Sequence, residues 1–246
     1  MDEDLVGKVA IITGGVNGIG LASVELFLKH GASVVIADIQ VEKGGKLIST
    51  LGDRAIFFPT DVTQENEWIA LIARTVQHFG RLDILFNNAG GGRISDIPYI
   101  ERDFADFQPT LDLNLLGPML GMKHAAKHMI EKGGGSIVNC CSTGGFFPGI
   151  GIPFYRAAKA GLLQVTQSLA LELSPHGVRV NCVSPGPIAT NDFATKMGLE
   201  GEAALRLYER VAAGLLAMQA IKEPIHPIDV AEAALYLARS LRPASP

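Results

Sequence analysis

Residues 8–20 read KVAIITGGVNGIG, and this stretch decides the fold. Its first half, 8–13 (KVAIIT), is an apolar, β-branched run that reads as a buried strand. The run passes directly into Gly14, Gly18 and Gly20, which permit a tight turn and close backbone approach. Residues 18–30 then carry helical periodicity. A helix starting there aims its N-terminal amides and the positive end of its dipole at the turn, a setting that suits a pyrophosphate. The spacing is not the usual G-x-G-x-x-G, and an ordinary strand-to-helix turn also uses glycines. The turn therefore makes Gly14, Asn17, Gly18, Ile19 and Gly20 candidate cofactor contacts.

Outward from that turn the same rhythm repeats. Residues 32–37 (ASVVIA), 55–58, 82–87 (LDILFN), 136–141 (SIVNCC) and 178–183 (VRVNCV) read as further buried strands. Helical stretches near 41–51, 64–79, 103–131 and 154–174 separate them, several closed by a glycine just before the next strand. Such alternation predicts one α/β domain over 1–246, with a parallel sheet, helices on both faces and right-handed crossovers. Residues 188–226 break the rhythm. They are rich in Ala, Leu and Met and follow the sixth strand, so they read as a substrate lid at the carboxyl end of the sheet.

Composition excludes several classes. Apolar residues make up 48% and charged ones 19%, which supports a sizeable core and argues against disorder. The net charge is −4 and no basic run occurs, so there is no footprint for nucleic acid or an anionic membrane. The acidic N-terminus carries no secretory signal pattern, and the uncharged stretch 133–155 is too rich in glycine to span a bilayer. Cys140, Cys141 and Cys182 lack the spacing of a disulfide framework or a metal site; they read as small core residues in a reducing, cytoplasmic setting.

The carboxylate of Asp38 ends the second strand, 18 residues after Gly20, with Ile39 beside it. It can accept hydrogen bonds from both ribose hydroxyls of an adenosine and would repel a 2′-phosphate. No Arg or Lys occupies 14–20 or 36–40, which favours NAD over NADP. Tyr155 and Lys159 stand four residues apart, one helical turn, with Ser142 thirteen residues before the tyrosine. A fixed cation beside a phenol lowers its pKa, so the pair reads as a device for moving a proton. The spacing alone also fits an exposed helix with a stray lysine.

Taken in order, Thr13-Gly14-x-x-x-Gly18-x-Gly20, Asp61-Val62, Asn87-Asn88-Ala89-Gly90, Asn114, Ser142, Tyr155-x-x-x-Lys159 and Pro185-Gly186 resemble the short-chain dehydrogenase/reductase family over residues 5–239. The resemblance implies a Rossmann-like doubly wound sheet and an oxidoreductase that moves a hydride between NAD(H) and a secondary alcohol or ketone. It places Asp61 and Val62 at the adenine, and Asn88, Ala89 and Gly90 at the adenine ribose. Pro185, Gly186, Ile188 and Thr190 would hold the nicotinamide amide. Ser142 would orient the substrate oxygen, Tyr155 would take the proton as phenolate, and Lys159 would hold the nicotinamide ribose. Asn114 would anchor a water that links Lys159 to solvent. The substrate wall is expected from Gly144, Phe146, Phe147, Gly149, Ile150, Phe154, Met197 and Leu199, facing Gly91, Gly92 and Arg93, which suits an apolar cyclic, aromatic, terpenoid or steroid-like molecule. NADP-linked ketone reduction is the alternative that Asp38 opposes, and an inactive nucleotide-binding regulator on the same fold is opposed by the catalytic residues together. Family members continue into a final strand; here residues 240–246 read as a flexible tail, so the last sheet strand is expected to be missing. A homodimer is expected through helices 103–131 and 154–174, and a tetramer is not.

Overall fold

Each apolar run of the sequence becomes a strand because both of its faces are covered, which is why the runs are continuous rather than alternating. The structure is a computed structural model that describes residues 4–92, 97–186, 188 and 220–239, with isolated positions between 202 and 217. The strands are β1 (Val9–Thr13), β2 (Ser33–Asp38), β3 (Ala55–Pro59), β4 (Ile84–Asn87), β5 (Gly135–Cys140) and β6 (Val178–Val183). All pair in parallel, in the order β3-β2-β1-β4-β5-β6. Helices α1 (Gly18–Lys29), α2 (Val41–Leu51), α3 (Glu65–Phe79), α4 (Phe107–Leu111), α5 (Gly117–Glu131), α6 (Pro153–Leu173) and α7 (Pro227–Ala238) cover it. This is the single-domain, Rossmann-like sheet expected.

The pleat of β1 sorts two cores. Ile12 joins Phe27, Ile36, Phe86 and Val138 on the face covered by α1 and α7. Ile11 joins Val35, Leu85, Ile137, Trp68 and Met122 on the face of α3 and α5. The strand order reverses between β1 and β4, and a crevice opens there at the carboxyl ends of the strands, where open α/β sheets take ligands.

The predicted strands and helices agree at their ends to within four residues, those at 41–51 and 178–183 without any shift, and there is one internal difference. The expected helix over 103–131 begins at Phe107 and carries a π-turn at Asp112–Leu116. Such a bulge re-aims a side chain inside a helix and is common at functional sites; here it presents Asn114. Among the described residues β6 pairs with β5 alone, so the sheet has six strands. Most of the expected lid at 188–226 and all of 240–246 lie outside the described residues. All three cysteines are free, no described helix is long and apolar enough to cross a membrane, and the described residues hold no cluster fit for a metal ion.

Two glycines test the packing in opposite directions. A Cβ on Gly20 would strike Gly14 O and come within 2.7 Å of Asn88 Nδ2, so Gly20 lets α1 close onto the turn. Gly45, exposed in α2, has nothing near it. Gly20→Ala should lower stability by about 2 kcal/mol or more, whereas Gly45→Ala should raise it by about 0.5–1 kcal/mol, both read from thermal or urea unfolding.

Candidate active site

The floor of the crevice is a hydrogen-bonded node. The Thr13 hydroxyl at the end of β1 accepts the backbone N–H groups of Asn88 and Ala89, each at 2.9 Å. Asn88 Nδ2 donates back to Thr13 O at 2.9 Å and Gly14 O at 3.3 Å. Gly14 has a φ of 64°, open to glycine without strain, and a Cβ there would press on Ala89 Cα at 3.0 Å. From this floor a cavity of about 400 Å³ runs past Gly14, Asn17, Gly18 and Ile19 to Asp38, Ile39, Asp61 and Val62. It continues over Asn88, Ala89 and Gly90 to Tyr155 and Lys159. A larger cavity, about 620 Å³, opens between Lys8, Arg81, Lys132 and Arg179, but none of the candidate residues lines it.

The donor set of the smaller cavity fits a dinucleotide. Glycines leave bare backbone at the turn, and the buried Asn17 Nδ2 has no partner among the described residues. Asp38 is 6% exposed; its carboxylate accepts Val16 N at 3.3 Å and Gln40 N at 3.0 Å, which fixes its orientation. Asp61 Oδ1 is taken by the amide and hydroxyl of Thr63 at 2.9 and 2.8 Å, and Val62 O holds Trp68 Nε1 at 2.9 Å. Gly20 sits behind the turn. Pro185, Gly186 and Ile188 do not line the cavity: Pro185 O accepts Thr143 N at 3.0 Å, and Ile188 packs on the core. Thr190 lies outside the described residues.

Ser142, Tyr155 and Lys159 do meet. The Ser142 hydroxyl stands close enough to the Tyr155 phenol to favour its ionised form, and its Oγ accepts Gly144 N at 3.0 Å. Lys159 is 3% exposed; its Nζ lies 5.7 Å from the Tyr155 ring centre and donates to Cys140 O at 2.7 Å. The expected depression of the Tyr155 pKa by Lys159 does not follow from the protein groups alone. Burial pushes the phenol up, and the nearby Ser142 hydroxyl and Arg156 charge only partly offset this. Burial likewise pushes the Lys159 ammonium down. Two groups of opposite charge type, both short of water, each favour the neutral form.

Asn114, fully buried in its π-turn, clasps Gly91: Oδ1 accepts Gly91 N at 3.0 Å, and Nδ2 donates to Gly91 O at 2.8 Å and Thr110 O at 3.0 Å. Both amide protons are thereby used, and one lone pair of Oδ1 remains. A Cβ on Gly90 would approach that Oδ1 to 2.8 Å and Lys159 Nζ to 3.2 Å, so the bare glycine keeps the two groups facing one space.

On the substrate side Phe146, Phe147 and Ile150 are exposed, and Gly92 packs on the Tyr155 ring. Phe154, expected in the pocket wall, is buried between Phe104 and Phe107, with ring centres 4.9 and 5.3 Å away, and lines with Tyr155 a small cavity of about 70 Å³. Its position one residue before Tyr155 turns it to the neighbouring helix face. Arg93, Met197 and Leu199 lie outside the described residues. Sequence reasoning missed Cys140 O as the partner of Lys159, since a backbone carbonyl leaves no trace in sequence. It also missed Arg102 and Arg156, which look like ordinary surface charges.

A glycine-walled cradle at the switch point, with a serine, a tyrosine and a lysine at its end, defines a dinucleotide-dependent oxidoreductase. Residues 8–198 match the family model described as short chain dehydrogenase. The chain is 42% identical to momilactone A synthase of Oryza sativa subsp. japonica, covering 95% of this chain and 84% of that one. It is 41% identical to xanthoxin dehydrogenase of Arabidopsis thaliana (96% and 85%) and 42% identical to (+)-borneol dehydrogenase 1 of Salvia officinalis (97% and 89%). A crystal structure of a short-chain dehydrogenase/reductase from Burkholderia xenovorans superposes with a TM-score of 0.83 at 33% identity, covering 96% of this chain and 91% of that one. The chain belongs to the short-chain dehydrogenase/reductase family. Members are oxidoreductases that use nicotinamide cofactors on small alcohols or ketones.

A lysine whose folded pKa is depressed costs stability below its unfolded pKa, and the cost fades as pH rises toward that value. Lys159→Met should therefore be more stable than the parent at pH 7, with the gap closing near pH 10, as read from urea unfolding at the two pH values. A gap that is constant with pH would show that Lys159 is not desolvated.

Proposed function

We propose that this protein is an NAD-dependent alcohol dehydrogenase acting on an apolar cyclic secondary alcohol, of terpenoid type, and on the corresponding ketone. The observation that carries the reading is Tyr155 and the buried Lys159 at the end of the dinucleotide cradle, the Lys159 Nζ 5.7 Å from the Tyr155 ring centre, with the Ser142 hydroxyl beside the phenol. The fixed carboxylate of Asp38 supports NAD, because it suits two ribose hydroxyls and repels a 2′-phosphate. The exposed rings of Phe146 and Phe147 support an apolar substrate, as do the names of the relatives that act on borneol and xanthoxin. The three free thiols suit a reducing compartment such as the cytoplasm.

In this reading Gly14, Asn17, Gly18 and Ile19 receive the pyrophosphate, Asp38 and Ile39 the adenosine ribose, and Asp61 and Val62 the adenine. Asn88, Ala89 and Gly90 pass close to the same ribose. Lys159 receives the nicotinamide ribose, whereas Pro185, Gly186 and Ile188, expected at the nicotinamide amide, stand outside this cavity. When bound, the nicotinamide supplies the hydride acceptor. Ser142, with one lone pair held by Gly144 N, turns its proton to the substrate oxygen. Tyr155 accepts the carbinol proton; burial opposes its ionisation, so a positive charge must stand beside the phenol before it can act as base. Asn114 fixes Gly91 and leaves a lone pair for a water beside Lys159.

A second reading, NADPH-linked ketone reduction, draws on Lys43, whose Nζ stands 3.4 Å from Asn17 Oδ1 at the edge of the turn. Parallel NADH and NADPH titrations by cofactor fluorescence separate the two. Tyr155→Phe should lower kcat by about 10³ and leave the NADH dissociation constant unchanged, because its role belongs to the transition state. Activity kept within about threefold would sink the assignment.

A homodimer also belongs to this reading. Phe107, Leu116 and Met119 on the α4–α5 segment and Leu171 on α6 stay exposed, an apolar set that a second copy would cover. Sedimentation should give the mass of two 26.1 kDa chains; a single-chain mass at micromolar concentration overturns it.

A further inference from the structure

The segment between Ser142 and Tyr155 joins two catalytic residues, so it must border the reacting centre. Its outer part, Phe147-Pro148-Gly149-Ile150-Gly151, has no polar side chain. It is apolar yet held outward: Phe147 is 65% and Ile150 100% exposed. Two glycines and exposed apolar groups give such a loop no means of ordering itself, and its carbonyls need donors from elsewhere.

Two arginines supply them. Arg156, the residue after Tyr155, donates Nη1 to Phe147 O. A Cβ on Gly149 would come within 2.5 Å of Arg156 Cζ, so the loop backbone lies directly on the guanidinium. Arg102 donates Nη2 to Gly151 O and Nε to Ile97 O, both at 3.1 Å. It thereby ties the loop to the wall that follows β4. That wall is itself braced: Phe104 holds a φ of 60°, rare for a bulky residue, with its ring against Tyr99 and Phe154 at 5.5 and 4.9 Å. The planar fork of arginine can hold carbonyls on two segments at once, which a lysine ammonium on its flexible stem does poorly.

We propose that Arg102 and Arg156 are positioning residues that hold residues 147–151 as one rigid apolar rim, and that this rim selects bulky ring substrates over small ones. The inference rests on the alcohol dehydrogenase reading above. Bulky alcohols need the far wall in place, whereas small ones need only Ser142 and Tyr155.

The test uses the full chain carrying Arg102→Ala, Arg102→Lys or Arg156→Lys; the last keeps a charge beside Tyr155 while losing the fork. Initial rates are followed with borneol and with cyclohexanol, and amide hydrogen exchange is followed across 143–152. The KM for borneol should rise about tenfold with kcat nearly kept, while the KM for cyclohexanol stays within about twofold. Exchange at 147–151 should quicken in each variant, and Arg102→Lys should recover part of what Arg102→Ala loses. Equal effects on both alcohols, or unchanged exchange, overturn the proposal. Should the parent protein oxidise neither alcohol, the functional reading fails on its own, while exchange still reports whether the arginines order the rim.

Discussion

The hydroxyl of Thr13 is the point on which the site depends. One oxygen atom accepts two successive backbone amides, those of Asn88 and Ala89, and so locks the ends of β1 and β4 together where the strand order reverses. A parallel sheet must splay at that place, because the crossovers from the two strands leave to opposite faces. Without a bridge, the amides after β4 would sit unpaired at the floor of a crevice. Asn88 closes the ring from the other side by donating to Thr13 O and Gly14 O. The glycine turn and the strip at 88–90 are thus one rigid body. A cradle for a charged ligand has to be rigid in this sense, since its amides serve only if they are aimed beforehand.

Much of this was legible in the sequence, and the reason is local. Strands buried on both faces write themselves as unbroken apolar runs, and helices between them end in glycines such as Gly80, whose φ of 78° no other residue adopts easily. The spacing of Tyr155 and Lys159 put both on one helix face, and the structure brings them to one cavity with Ser142 alongside. What the sequence could not show depends on partners without a signature. Lys159 turns to a carbonyl, Cys140 O. Asn114 lies in a π-turn, which has no composition of its own, and its bonds run to a glycine backbone. Phe104 and Phe107, which pack on Phe154, are brought to it by the fold alone.

The charge state of the site follows from the same burial. A spacing argument counts only the attraction of lysine for a phenolate, whereas the fold also takes both groups out of water. Desolvation acts on each partner separately and does not need them to face each other, so it prevails while Lys159 is engaged with Cys140 O. The result is a Tyr155 phenol that the protein groups alone hold protonated, and a positive charge brought beside it would favour its ionisation.

The open side of the sheet is where this arrangement is under most demand. Among the described residues β6 has a strand neighbour on one side only, yet it and the residues after it flank Ser142. Val183 O accepts Cys141 N at 2.8 Å and Pro185 O accepts Thr143 N at 3.0 Å, one residue before and one after Ser142. Side chains add to the β5 ladder in securing β6. Arg179 donates to Leu237 O and Arg239 O at 2.8 and 2.7 Å, and Ser136 on β5 donates to Leu237 O at 3.0 Å. A guanidinium thus closes the negative end of α7, where the last helical carbonyls lack partners. Arg239 in turn pairs with Asp4 at 2.7 Å, beside the segment that leads into β1. Ser142 is therefore steadied through a chain of contacts that returns to the strand whose end carries Thr13.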